Sequence, residues 1–135
     1  PLVAEQPSEV VIVNRTAEKA EQLAQAFADL GNIQGGGLAS IDGQFDLVIN
    51  GTSASLSGEL PPLPETLFAK GAWAYDMMYG SEPTVFLQWA GPRGAKLLDG
   101  LGMLVEQAAE SFFLWRNVRP ETASVRTLLR QSLNY

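Results

Sequence analysis

The sequence predicts an α/β domain built on a mostly parallel sheet. Three apolar runs rich in β-formers, residues 10–13, 45–50 and 73–77, each lead into a polar turn. Segments of helical period lie between and after them, and strands that alternate with helices form parallel sheets covered by helices. At 135 residues, 46% hydrophobic and 18% charged, the chain fits one domain with a real core.

Residues 2–6 read as the end of a helix, stopped near Pro7. Residues 10–13 (Val-Val-Ile-Val) are wholly apolar between polar neighbours, which suits a strand buried on both faces of a sheet. A helix over 17–30 follows, with Ala20, Leu23, Ala24, Phe27 and Leu30 on one face and Gly31 as its stop. Ile33-Gln34 reads as a very short strand before a flexible Gly35-Gly36-Gly37 loop. Residues 45–50 are the second clear strand. The Ser-, Gly- and Pro-rich segment 51–64 is loop, with a short helix expected over 63–68. After the strand at 73–77, Pro83 suits the first position of a helix reaching about Ala90. Arg93 and Lys96 are expected in a solvated loop. A long apolar helix over 100–117 and an amphipathic one over 121–133 complete the chain.

Composition excludes several chemistries. With no cysteine there is no disulfide, thiol nucleophile or zinc–thiolate centre. With no histidine, the commonest general base and metal ligand are absent. The net charge of −6 argues against a nucleic-acid or anionic-membrane surface, and no apolar run nears the length needed to span a bilayer. The first residues do not resemble a signal peptide, so a cytoplasmic protein is expected. The chain starts at Pro1 rather than Met, which reads as the later part of something longer.

Charge at the start of the first helix is unusual. Thr16 is placed as N-cap, its hydroxyl accepting a bond from the first turn, and Lys19 stands where a capping box would carry Glu or Gln. Arg15 and Lys19 therefore crowd the positive end of a helix dipole, at a cost of roughly 0.3–1 kcal/mol each. A bound anion would reverse that sign. In a dinucleotide-binding sheet the loop after the second strand reads the adenosine ribose, with an acid for NAD and Arg for the NADP 2′-phosphate. The loop here has two cations and no Asp, which suits NADP; a solvated helix start fits the same residues. No G-x-G-x-x-G turn is present: neither Gly35-Gly36-Gly37 nor Gly100-Leu101-Gly102 has the required context. Gln107 lies within the apolar pattern Leu104, Val105, Ala108 and Phe112, where a buried amide demands partners.

Four blocks, taken in order, resemble shikimate dehydrogenase: Asn14-Arg15-Thr16 with Lys19-Ala20; Asn50 with Thr52-Ser53; Tyr75-Asp76-Met77 with Tyr79; and Asp99-Gly100-Leu101-Gly102-Met103-Leu104 with Gln107-Ala108. The resemblance runs from about Val10 to the C-terminus. It implies an incomplete Rossmann-like fold, with the first strand and Gly-rich turn absent, and NADP as cofactor. Asn14, Arg15, Thr16 and Lys19 would discriminate NADP, and Thr52 and Ser53 would lie beside the cofactor. Met77, Gly100 and Met103 would lie toward the nicotinamide. Tyr79 and Gln107 would reach shikimate or 3-dehydroshikimate. No catalytic residue is assigned in this chain, because the family's Lys–Asp pair belongs to an N-terminal substrate domain. Residues 1–135 would then be a truncated NADP-binding domain whose helices from about 100 pack toward that domain. Asp76 is expected to cap a turn rather than to do chemistry. Removing the central strand of a 3-2-1-4-5-6 sheet leaves two open edges, so self-association, or direct pairing of residues 10–13 with 45–50, is expected. A quinate-type dehydrogenase and a nucleotide-binding module without catalysis are the alternatives.

Overall fold

The computed structural model describes residues 1–54 and 58–133. It divides into two compact units, Pro1–Gly43 with Pro61–Leu67, and Gln44–Leu60 with Phe68–Tyr135.

The first unit is a strand–helix–strand. β1 (Val10–Asn14) pairs in parallel with β2 (Ile33–Gly37), from Val10↔Ile33 to Asn14↔Gly37, and α1 (Ala17–Ala26) connects them. β1 is half-buried rather than enclosed on both faces. The expected helix at 2–6 is a single 3-10 turn, Val3–Glu5, closed by Gln6 in the left-handed region. α1 is shorter than the expected 17–30, because Phe27 leaves the helical region and Ala28–Leu30 forms a separate 3-10 turn.

The buried face of α1 is also narrower than its pattern implied. Ala20 and Ala24 are buried, while Leu23, Phe27 and Leu30 stay 47%, 45% and 58% exposed. The cause lies in β2. A Cβ on Gly35 would collide with the Ala20 carbonyl and come within 2.7 Å of Glu21 Cα. Helix backbone and strand backbone touch, so only small residues fit the contact. Gly35-Gly36-Gly37 is therefore a strand, not a flexible loop: α1 supplies the packing that the glycines lack. No helix forms at 63–68. Pro61, Pro62 and Pro64 hold their neighbours extended, the Leu67 amide closes a turn on the Pro64 carbonyl, and Phe68 already starts a strand.

The second unit holds a three-stranded parallel sheet in the order β3 (Phe45–Asn50), β4 (Phe68–Asp76), β5 (Lys96–Leu98). β4 starts at Phe68, well before the expected 73, and its register against β3 shifts between Phe45 and Leu47. Gly71, at φ 82°, lies in that irregular stretch, where a left-handed residue lets the strand bulge. α2 (Val85–Ala90) is capped by Thr84, whose hydroxyl accepts from the Leu87 amide at 3.3 Å, so Pro83 precedes the helix instead of opening it. α3 (Leu101–Arg116) buries Leu101, Val105 and Ala109, one residue per turn. α4 (Ala123–Ser132) buries none of its residues. Its start is capped by the Glu121 carboxylate, which accepts from the Ala123 amide at 2.5 Å and the Ser124 amide at 3.1 Å. Bonds from the Ser124 hydroxyl and these amides hold the Glu121 carboxyl below its ordinary range.

Phe68, Phe86 and Trp89 form an aromatic cluster with centroids 5.6–6.5 Å apart. Neither Arg93 nor Lys96 lies in a loop, though Lys96 is exposed as expected. The Arg93 guanidinium lies 4.2 Å from the Trp89 ring centre and donates to the Trp89 carbonyl, and Lys96 opens β5 beside Trp73.

The five strands form two ladders, β2–β1 and β3–β4–β5, and among the described residues β1 and β3 do not pair. Each strand pairs with the one its own connecting segment brings alongside; no such crossover links β1 to β3, and the direct pairing expected for residues 10–13 and 45–50 does not occur. The two orders are those left by 3-2-1-4-5-6 when its central strand is removed.

Gly35→Ala is expected to destabilise the protein by about 1–3 kcal/mol, because α1 must move off β2 to admit a methyl group. Urea denaturation followed by circular dichroism measures this.

Candidate functional site

In the first unit, Asn14 ends β1 and accepts the Thr16 amide on Oδ1 at 3.0 Å. Thr16 holds the N-cap position, but its side chain accepts no bond from the helix, contrary to its expected role. Asn14 has turned the chain instead, and the amides of the first turn are left without a side-chain cap. Arg15 and Lys19 are both exposed, and no side-chain hydrogen bond or ion pair engages either among the described residues. Two unpaired cations and uncapped amides form a donor set suited to a phosphate dianion.

In the second unit, the carboxyl ends of the strands are joined around Asp76, which has no solvent exposure. Its Oδ2 accepts from the Asn50 amide at 3.1 Å and the Thr84 hydroxyl at 2.5 Å, and its Oδ1 accepts from the Met78 amide at 3.0 Å. Asn50 Oδ1 in turn accepts from the Thr52 amide and hydroxyl, at 3.1 and 2.8 Å. One carboxylate thereby fixes the end of β3, the turn after β4 and the start of α2. Met77 follows directly, its amide donating to the Asn50 carbonyl. Gly100 caps α3 and donates its amide to the Met78 carbonyl at 3.1 Å. A Cβ on Gly100 would collide with the Met77 carbonyl and come within 3.3 Å of Met77 Cα, so only glycine allows these two backbones to touch.

Met77, Tyr79 and Met103 are 37%, 44% and 38% exposed. Tyr79 borders a shallow cavity of about 300 Å³ between the end of β4 and the start of α2. Gln107 is exposed, so the burial that singled it out is not found; it lies one turn beyond Met103 on α3. Thr52 and Ser53 are exposed at the start of the loop after β3. That loop continues through residues 55–57, which lie outside the described residues.

Two features escaped sequence reasoning. Asp76 was legible as a turn aspartate, but its position as the acceptor for three elements was not. Asp99 is 6% exposed and held by Arg130, with Nη1 to Oδ2 at 2.7 Å and Nη2 to Oδ1 at 2.6 Å. The two residues are far apart in sequence, and the amphipathic pattern of α4 gave Arg130 no distinction. Burial, then the Asp99 charge, push the nearby Tyr75 hydroxyl above its ordinary value. No cluster of three acidic side chains able to hold a metal occurs among the described residues, and no helix is long and apolar enough to cross a membrane.

Parallel strands alternating with helices, with polar groups gathered at the strands' carboxyl ends, define a Rossmann-like α/β fold. Comparison with known proteins narrows this. Residues 100–130 match the family model described as the shikimate 5′-dehydrogenase C-terminal domain. The NADP⁺-dependent shikimate dehydrogenase of Chromohalobacter salexigens is 63% identical over 133 residues, covering 98% of this chain and 49% of that protein. Among solved structures, an Ael1 enzyme from Pseudomonas putida aligns with a TM-score of 0.83 and 46% identity, over 91% of this chain and 46% of that one. Shikimate 5-dehydrogenase from Thermus thermophilus, in complex with NADP(H) and shikimate, aligns with a TM-score of 0.72 and 28% identity, over 96% of this chain and 48% of that one. In sequence and in fold the chain is similar to shikimate dehydrogenases, and its residues 100–130 to their C-terminal domain. It spans about half the length of the curated relatives it matches.

Asp76→Ala is expected to cost about 1–3 kcal/mol for each buried donor it leaves unpaired, read as a lowered urea midpoint. Thr84→Ser, which keeps the hydroxyl, should lose far less.

Proposed function

We propose that this chain is the cofactor-binding part of an NADP-dependent shikimate dehydrogenase that interconverts 3-dehydroshikimate and shikimate in the cytoplasm. The observation that carries the reading is the pair of unpaired cations, Arg15 and Lys19, at an uncapped helix start in a chain 63% identical to an NADP⁺-dependent enzyme.

The 2′-phosphate of NADP would take the place of the missing cap. Arg15 offers a planar fork and Lys19 a point charge, while Asn14 keeps the turn open and Thr16 stands at the N-cap. Thr52 and Ser53 would border the dinucleotide. Met77, Gly100 and Met103 would form the wall for its nicotinamide end. When bound, NADP supplies the hydride-transfer chemistry; the chain orients it and excludes water. Tyr79 and Gln107 carry exposed polar ends suited to the hydroxyls and carboxylate of the substrate. Acid–base catalysis is assigned to a Lys–Asp pair in the other half of the parent protein, so these 135 residues alone are expected to bind without turnover.

Exposed apolar side chains support the rest of the domain reading. On α3, Leu114 and Trp115 are 73% and 80% exposed, and on α4 Leu128 is 65% exposed. A surface of this kind is suited to the missing half. The free edges of β1 and β3 are suited to a central strand from it, and would pair between copies in its absence.

Three experiments test the reading. Full-length protein given shikimate and NADP⁺ should produce the reduced-nicotinamide absorbance, and no signal would favour a binding module. In the same protein, Arg15→Asp should weaken NADP⁺ by roughly thirtyfold, equivalent to about 2 kcal/mol, and leave NAD⁺ nearly unchanged. Equal losses would remove the phosphate role. For the isolated chain, light scattering should find particles larger than the 14.6 kDa monomer.

A further inference from the structure

α4 buries none of its own residues, yet its Arg130 reaches a buried carboxylate in a two-pronged ion pair. The Asp99 side chain is 4% exposed and that of Arg130 30%. Asp99 stands at the turn from β5 into α3. Its Oδ1 also accepts the Leu101 amide at 3.2 Å, so the carboxylate ties the first amide of α3 while Arg130 holds it. The next residue, Gly100, is bonded to the Met78 carbonyl and pressed against the Met77 backbone. A line of direct contacts thus runs from α4 through Arg130, Asp99 and Gly100 to Met77. Parallel, planar N–H···O bonds fix orientation as well as distance, which a single ammonium contact does not.

We propose that Arg130 is a positioning residue: through Asp99 it sets the Gly100 turn against Met77, and so the wall on which the nicotinamide end of the cofactor rests. The inference rests on the function proposed above. Without the guanidinium, Asp99 is left as a buried charge with one amide partner, and the turn relaxes toward water. Gly100 then withdraws from Met77 and the reacting ends lose alignment. The 2′-phosphate end, held by Arg15 and Lys19, is unaffected. An alternative role, in which Arg130 only anchors α4, makes a different forecast, because α4 has a second tether: the Thr122 hydroxyl donates to Glu106 at 2.8 Å.

The test uses the full-length protein with shikimate and NADP⁺. Arg130→Met should lower kcat by about tenfold to a hundredfold, the range expected when reacting groups are misplaced by a distant change. Affinity for adenosine 2′,5′-bisphosphate, which carries the phosphate but no nicotinamide, should be unchanged and reports that the variant is folded. Arg130→Lys should recover only part of kcat, having the charge without the fork. Thr122→Ala, which loosens α4 but leaves the ion pair, should keep kcat. If wild-type protein turns over and Arg130→Met matches it within about twofold, the positioning role falls while the proposed function stands. Loss of kcat in Thr122→Ala to the same degree as in Arg130→Met would also overturn it, in favour of an anchor. Failure of the wild-type protein to reduce NADP⁺ with shikimate would overturn both.

Discussion

A carboxylate sealed from solvent organises the functional end of this molecule. Asp76 terminates β4, the middle strand of its sheet, and is the meeting point of donors from β3, the following turn and the start of α2. Burying such a group is unfavourable unless its lone pairs are filled, and hydrogen bonds to a charged acceptor contribute about 1.5–3 kcal/mol each. The same bonds dictate geometry. With Met78 held by Asp76, its carbonyl is aimed to accept Gly100, and Gly100 brings the turn of α3 against Met77. The site is a cascade in which each bond presents the acceptor for the next.

A second constraint is set by what the chain leaves open. Neither β1 nor β3 has a strand on its other side among the described residues, and large apolar side chains are exposed on α1, α3 and α4. In the first unit, Leu23, Phe27 and Leu30 are displayed because α1 meets its sheet through alanines. Apolar surface left in water forgoes the stabilisation that burial supplies, so these side chains and strand edges are where the structure has most to gain from contact.

Much of the fold was legible in the residues. The runs at 10–13 and 45–50 became strands, the segment opening at 17 became a helix, and the long helices fell within a residue or two of their expected ends. The failures share a cause. Gly35-Gly36-Gly37 has no intrinsic strand preference; it is a strand because α1 covers it. β5, of three exposed residues opening on Lys96, has no apolar period to detect, yet pairing with β4 is enough to form it. Gln107 looked buried because its helix is apolar on nearly every side, and an all-round pattern cannot say which face meets the sheet. The basic helix start after β1 was legible at once, since it conflicts with a rule of local electrostatics. The Asp99–Arg130 pair was not, because it joins elements that no local rule connects.

Conflicts between a residue and its local preference therefore divide into two kinds. Gly35 offends strand propensity, and Asp76 the rule against buried charge, but each is compensated within the described structure, by α1 against the strand and by donors around the carboxylate. Arg15 and Lys19 offend the dipole at α1; Glu18 is the acid of that turn, but no ion pair or side-chain hydrogen bond engages either cation among the described residues. Sequences tend to keep such a cost where a function supplies the compensation from outside. The internal conflicts explain how strand ends and turns are held in place. The one at α1 is of the kind a bound anion would relieve, and the function proposed above supplies that anion as the phosphate on the cofactor's ribose.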